Sequence, residues 1–143
     1  MKIALVFLTL MVVGCSSYDE VEIVKVNVGD KNVFLKKYYR GLNYEILAIS
    51  LNSSKSSPEE NAEYVSKSGR GFYYKVADKS LLIYDSDFRN QKIEFSVDVK
   101  FIELPAPELR KIEKDILQNE ESQYSIFPPS DLKLLQQMYK TPF

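Results

Sequence analysis

The run IEFSVDVKFIEL, residues 93–104, decides how this chain is read. Ile93, Phe95, Val97, Val99 and Phe101 fall on alternate positions, and Glu94, Ser96, Asp98 and Lys100 fill the gaps between them. Successive side chains of a strand point to opposite sides, so this alternation predicts a strand with one buried and one wet face. That division is typical of an antiparallel sheet. Immediately downstream, Pro105-Ala106-Pro107 ends the alternation. Leu109, Ile112, Ile116 and Leu117 then recur at helical spacing, with Pro107 at the start and Glu108 in the first turn. Ser130 is placed to cap a last helix carrying Leu132, Leu135 and Tyr139, which Pro142 would end. Residues 124–129, between the two helices, are expected to be extended.

Upstream, the same period of two recurs in shorter runs. Val24, Val26 and Val28 alternate with Lys25 and Asn27, predicting a strand over 21–28. Gly29-Asp30 supplies a turn, and residues 33–39 return as the second arm of a hairpin. After a break at 40–43, residues 44–51 are apolar and branched enough for a central strand. Ser57-Pro58-Glu59-Glu60 carries the chemistry of a helix start: a capping hydroxyl, proline in the first turn and a carboxylate three residues on. Ala62 and Val65 would share a face of that short helix and Gly69 would end it. Residues 71–77 and 81–85 form a further strand pair across Asp78-Lys79-Ser80, and 85–90 is a polar turn holding Phe88. Strands first and helices last predict an α+β fold, an antiparallel β-sheet of about five to seven strands with two C-terminal helices on one face.

The start of the chain has a different character. Met1-Lys2 is followed by eleven residues, 3–13, without a charge, then by Gly14 and the only cysteine, Cys15. A basic start, an apolar middle and a small residue at the end are the layout of an export signal. As a helix the apolar part would reach about 16 Å, against roughly 30 Å of membrane hydrocarbon, too short for a stable span. Val12-Val13-Gly14-Cys15 resembles the lipobox of bacterial lipoproteins, with Val12 where leucine is usual. The resemblance implies that the thiol of Cys15 receives a diacylglyceryl group, that cleavage makes Cys15 the new N-terminus, and that its amine is then acylated, commonly by palmitate. It covers residues 1–15 and implies nothing about the fold beyond them. The expected organisation is a signal peptide over 1–14, a lipidated N-terminus and tether over 15–20, and one globular domain over 21–143. That domain is β-rich over 21–104 and helical over 105–143. Serine after the cysteine resembles outer-membrane sorting, so the expected place is the cell envelope, anchored to the outer membrane.

Charge and composition narrow the function classes. Lys2 is the only charge in residues 1–14, so the mature chain keeps 18 of the 19 basic residues against 20 acidic ones. Lys36, Lys37 and Arg40 are the densest basic cluster, too little for a nucleic-acid-binding face. With no histidine, the commonest general base and metal ligand are missing. Asp85-Ser86-Asp87 opens a calcium-loop pattern, but Arg89 and Asn90 stand where a ligand and glycine are needed. Adjacent Ser66-Lys67 and Lys79-Ser80 would point to opposite faces of a strand and make poor dyads. No catalytic residue, metal ligand or cofactor site is therefore assigned. Phe72, Tyr73, Tyr74 and Tyr84 remain as a candidate aromatic face for a glycan or an envelope protein, sheet pairing being the plainer use of such residues. The expected function is a lipid-anchored, non-catalytic binding or scaffolding domain. The alternatives are an envelope hydrolase using carboxylates or a Ser/Lys pair, and an accessory subunit docking through its tail, residues 124–143.

Overall fold

A computed structural model describes residues 18–42, 44–53, 64–66, 71–88 and 96–140. Strand β1 (Glu20–Val28) turns at Gly29-Asp30 into β2 (Lys31–Arg40), and β3 (Tyr44–Ser50) lies on the other side of β2. A short β4 (Tyr64–Ser66) closes this first sheet, ordered β1-β2-β3-β4 and antiparallel throughout. The second sheet has the order β7-β6-β5-β8, built from β5 (Phe72–Ala77), β6 (Ser80–Asp85), β7 (Asp98–Glu103) and β8 (Ser125–Phe127). Helix α1 (Ala106–Gln118) follows β7, and α2 (Asp131–Lys140) follows β8. No helix among the described residues is long and apolar enough to cross a membrane.

The class is α+β, with the strands divided between two sheets. Alternation explains the division. Val26, Val28, Val33, Leu35, Leu47 and Ile49 turn one face of the first sheet against Phe72, Leu81, Ile83 and Phe127 of the second, and these buried side chains make one core. The opposite face of the second sheet is also apolar. Tyr84, Leu82, Tyr73 and Ile102 receive Leu109, Ile112 and Ile116, the stripe of α1 that the helical spacing predicts. Glu113 on that helix accepts hydrogen bonds from Tyr73 of β5 at 2.8 Å and Tyr139 of α2 at 2.7 Å, joining three elements through one carboxylate.

Four expectations change. Residues 64–66 form a strand on the edge of β3 rather than the end of a helix; Val65 packs with Tyr38, Ile46 and Ala48 on the outer face of the first sheet. The start of the expected helix, 57–63, lies outside the described residues. Of the long strand expected over 93–104, the described part is a strand over Asp98–Glu103 with a bend at 96–97, and residues 93–95 lie outside the described residues. That strand runs parallel to β6, which makes the second sheet mixed. A parallel neighbour needs a connection that returns to the starting end, and residues 86–97 are long enough to supply it. Val97, Val99 and Phe101 still face the shared core, as the alternation requires. Third, the segment expected only to be extended between the helices joins a sheet: β8 pairs with β5 through Phe72 and Phe127 and completes the second sheet.

The fourth change concerns residues 18–20, expected as tether. Tyr18 packs on Tyr38 with ring centroids 5.0 Å apart, the Asp19 amide donates to the Tyr39 carbonyl at 2.9 Å, and Glu20 opens β1. The folded domain thus includes Tyr18, three residues after Cys15.

Candidate functional site

The inner face of the first sheet changes from apolar to polar toward the start of β1. Val26 stands opposite Val33, and Val24, Leu35 and Ile49 form the next row. Beyond them come Glu22, Lys37 and Leu47, then Glu20, Tyr39 and Glu45. Lys37 is in phase with Val33 and Leu35, so the period of two carries it inward and buries it. A buried ammonium needs a partner, and Lys37 Nζ meets Glu45 Oε2 at 3.0 Å. The same Nζ lies 5.1 Å from the centre of the Tyr39 ring.

The β8–α2 junction lies against this polar end. The Ser130 hydroxyl donates to Glu22 Oε1 at 2.8 Å, and the Tyr39 hydroxyl donates to the same oxygen. Ser130 thus spends its hydroxyl on the first sheet. Burial, and then the Glu22 carboxylate beside it, push the Tyr39 phenol far above its ordinary value. Asp131, the first residue of α2, is also raised, chiefly by burial; Lys37 opposes the rise and Glu22 and Glu45 add to it. Gly71 fits here because it has no side chain. A Cβ on it would stand 2.6 Å from both Asp131 Oδ2 and the Phe127 carbonyl oxygen.

The cluster of Glu22, Lys37, Tyr39, Glu45, Ser130 and Asp131 therefore clamps α2 to a sheet that lies far from it in sequence. Its lysine is paired with Glu45 and its serine with Glu22, so the two do not make a nucleophile and base. Among the described residues, no three His, Cys, Asp or Glu side chains are placed to hold a metal ion. Replacing Lys37 with methionine keeps the stem and removes the charge. The pair is only partly buried, Glu45 being 39 % exposed, so a loss of about 2 kcal/mol is expected at neutral pH, below the cost of breaking a fully buried pair. Because Asp131 holds its proton more tightly folded than unfolded, acidification through its raised value favours the folded state. The Lys37→Met deficit should therefore shrink as the pH falls from neutral through the raised value of Asp131, which loses the opposing ammonium in the variant and takes up its proton more readily. Urea unfolding across that acidification measures this, and an unchanged deficit would mean that Lys37 acts by packing alone.

The structure places the residues singled out in the sequence as follows. Phe72 and Tyr74 face the core between the sheets, whereas Tyr73 and Tyr84 face α1. Phe72 and Tyr84 are buried, with Phe72 against Phe127 and Tyr84 edge-on to Tyr124. The four are divided between two faces and do not form a common exposed strip. Strand alternation separates Tyr73 from its neighbours, and burial of the rings supplies the stabilisation that an exposed strip would forgo. Lys36 and Lys37, two of the three residues in the densest basic cluster of the sequence, are both buried, on opposite faces of β2. Ser80 donates to Asp98, and Lys67 lies outside the described residues. Val12, Val13, Gly14 and Cys15 also lie outside them.

The polar cluster was not anticipated from the sequence. Its one sequence signal is a charged residue, Lys37, in the apolar phase of a strand. Against protein-family models, curated proteins and solved structures, the chain shows no match.

Proposed function

We propose that this protein is a lipid-anchored lipoprotein of a bacterial cell envelope, held at the outer membrane through acylated Cys15. Its folded domain binds or scaffolds an envelope protein or a glycan and performs no reaction. One observation carries the reading: the only cysteine of the chain directly follows an uncharged apolar run and the residues Val12-Val13-Gly14. Two or more acyl chains hold a protein stably on a bilayer. The non-catalytic half is supported by the pairing within the polar cluster, where the lysine is paired with Glu45 and the serine hydroxyl is donated to Glu22. Mass spectrometry of the purified native protein tests the anchor. The expected N-terminal peptide starts at Cys15 and carries diacylglyceryl and acyl mass. An unmodified peptide starting at Met1, from protein found free in the cytosol, ends the proposal.

One observation favours a second reading, an accessory subunit that docks through its C-terminal part. Helix α2 leaves Leu134 and Met138 59 % and 66 % exposed, one turn apart on the same side. A partner covering that side would reduce the apolar area left in water.

A further inference from the structure

We infer that the tip of the β2–β3 hairpin is a second membrane contact, which seats the domain on the lipid surface beside its anchor. The inference rests on the lipid-anchor reading and adds an orientation to it.

Leu42 is 99 % exposed at the tip of this hairpin, so it adds nothing to either core. Gly41 precedes it with φ +62°, a left-handed conformation that glycine adopts without strain, and a Cβ there would meet nothing within 4 Å. The tip therefore projects into open space. Arg40 and Tyr44 face each other across the last rung below it, and both are exposed. Arginine and tyrosine have apolar bodies and polar ends, which suits them to the headgroup layer, while a leucine one step further out reaches the acyl chains.

The position of the tip selects the lipid surface as its partner. The Asp19 carboxylate accepts a hydrogen bond from the Gly41 amide at 2.6 Å, and the Asp19 amide donates to Tyr39. Asp19 is four residues after Cys15, and four residues of extended chain span about 14 Å at most. The acylated cysteine and Leu42 are thus confined to the same end of the molecule. The two other hairpin turns among the described residues differ. Gly29-Asp30 and Asp78-Lys79 lie together at the opposite end, where the Lys79 stem runs alongside Gly29, and they carry charged residues in place of an apolar one. Seated on Leu42, the domain turns the Glu22–Lys37–Glu45 end toward the membrane and presents the Gly29 and Asp78 turns to the aqueous side.

The chain has no tryptophan, so a single introduced indole reports its own surroundings. Full-length, processed protein carrying Leu42→Trp is reconstituted in vesicles of phosphatidylethanolamine and phosphatidylglycerol; a second sample carries Lys79→Trp instead. The Leu42→Trp emission is expected to shift to shorter wavelength and to lose about half its intensity to lipids brominated on the upper acyl chain, the depth at which interfacial aromatics settle. The Lys79→Trp emission should stay that of a water-exposed indole, which controls for the affinity of indole itself for membranes. Flotation of the same vesicles separates the two readings. Protein that floats with an unquenched Leu42→Trp indole overturns the seated tip and leaves the anchor standing. Protein that does not float overturns both. A shift that depends on protein concentration rather than on lipid assigns the tip to a second copy of the chain and overturns the lipid contact.

Discussion

Replacing Cys15 with serine is expected to move the protein out of the membrane fraction and to leave residues 1–14 attached. Serine matches the size of cysteine but lacks the thiol that accepts the diacylglyceryl group, and the lipobox resemblance makes that modification the condition for cleavage. The magnitude follows from chain length. Each acyl methylene buried in a bilayer contributes about 0.8 kcal/mol, so two long chains exceed anything one exposed side chain can supply. Full burial of a leucine such as Leu42 contributes about 1.5–3 kcal/mol, enough to orient an anchored domain but not to hold a free one. Nor does the uncleaved apolar run replace the lipid, since it covers about half of the hydrocarbon thickness. Fractionation followed by immunoblotting should therefore show near-complete loss from washed membranes together with a larger product. Equal membrane retention of Cys15→Ser would remove the basis for the anchor.

The proposed role of Cys15 is drawn from local features alone: a thiol, a small residue before it and an apolar run before that. The β1–β2 hairpin, which the structure contains, is legible from equally local features, since the alternating Val24, Val26 and Val28 and the Gly29-Asp30 turn adjoin. So is α1, whose stripe of Leu109, Ile112 and Ile116 meets the second sheet. A period of two assigns residues to a face but does not identify the neighbouring strand or its direction. That is why Val97, Val99 and Phe101 face inward as expected while β7 runs parallel to β6. Local helix-start chemistry at Ser57-Pro58 extended the expected helix to Val65. The free edge of β3 competes with it there, and pairing Leu47, Ala48 and Ile49 with residues 64–66 satisfies backbone groups that a helix would leave exposed. Tertiary pairing outweighs local propensity at such a site.

The polar cluster is a harder case. Ser130 meets Glu22 across 108 positions of chain, and no spacing rule connects them. Lys37 carried the available signal. Counted with Lys36 and Arg40 it is one of a basic group, which says nothing about its burial. Read in phase with Val33 and Leu35, it points inward and requires a carboxylate near it, which Glu45 supplies. The aromatic residues at 72–74 serve sheet pairing and the core, the plainer of the two uses weighed for them. Their chemistry suits an exposed binding strip, yet the alternation that places Phe72 and Tyr74 on one side and Tyr73 on the other leaves no single face for them.

Replacing Phe127 with alanine is expected to cost about 3–5 kcal/mol, a large part of the roughly 5–15 kcal/mol by which a domain of this size is stable. Strand β8 has three residues, and its place in the sheet depends on what its side chains bury. Phe127 is fully buried between the sheets, its ring 5.3 Å from that of Phe72 on the paired strand β5. Truncation leaves a cavity that the two flanking sheets cannot close without moving. The effect should extend beyond the cavity. Phe127 immediately precedes the junction where Ser130 reaches Glu22 and Asp131 lies near Lys37, and its carbonyl oxygen packs over Gly71. Loss of β8 would turn β5 into an open edge and remove the footing of α2. Urea unfolding of Phe127→Ala should therefore show a lower midpoint together with faster amide exchange in α2. Leu134→Ala, at an exposed position on that helix, should change stability by no more than about 0.5 kcal/mol. A loss for Phe127→Ala as small as that for Leu134→Ala would mean that the second sheet stands without β8, and that α2 is held by the polar cluster alone.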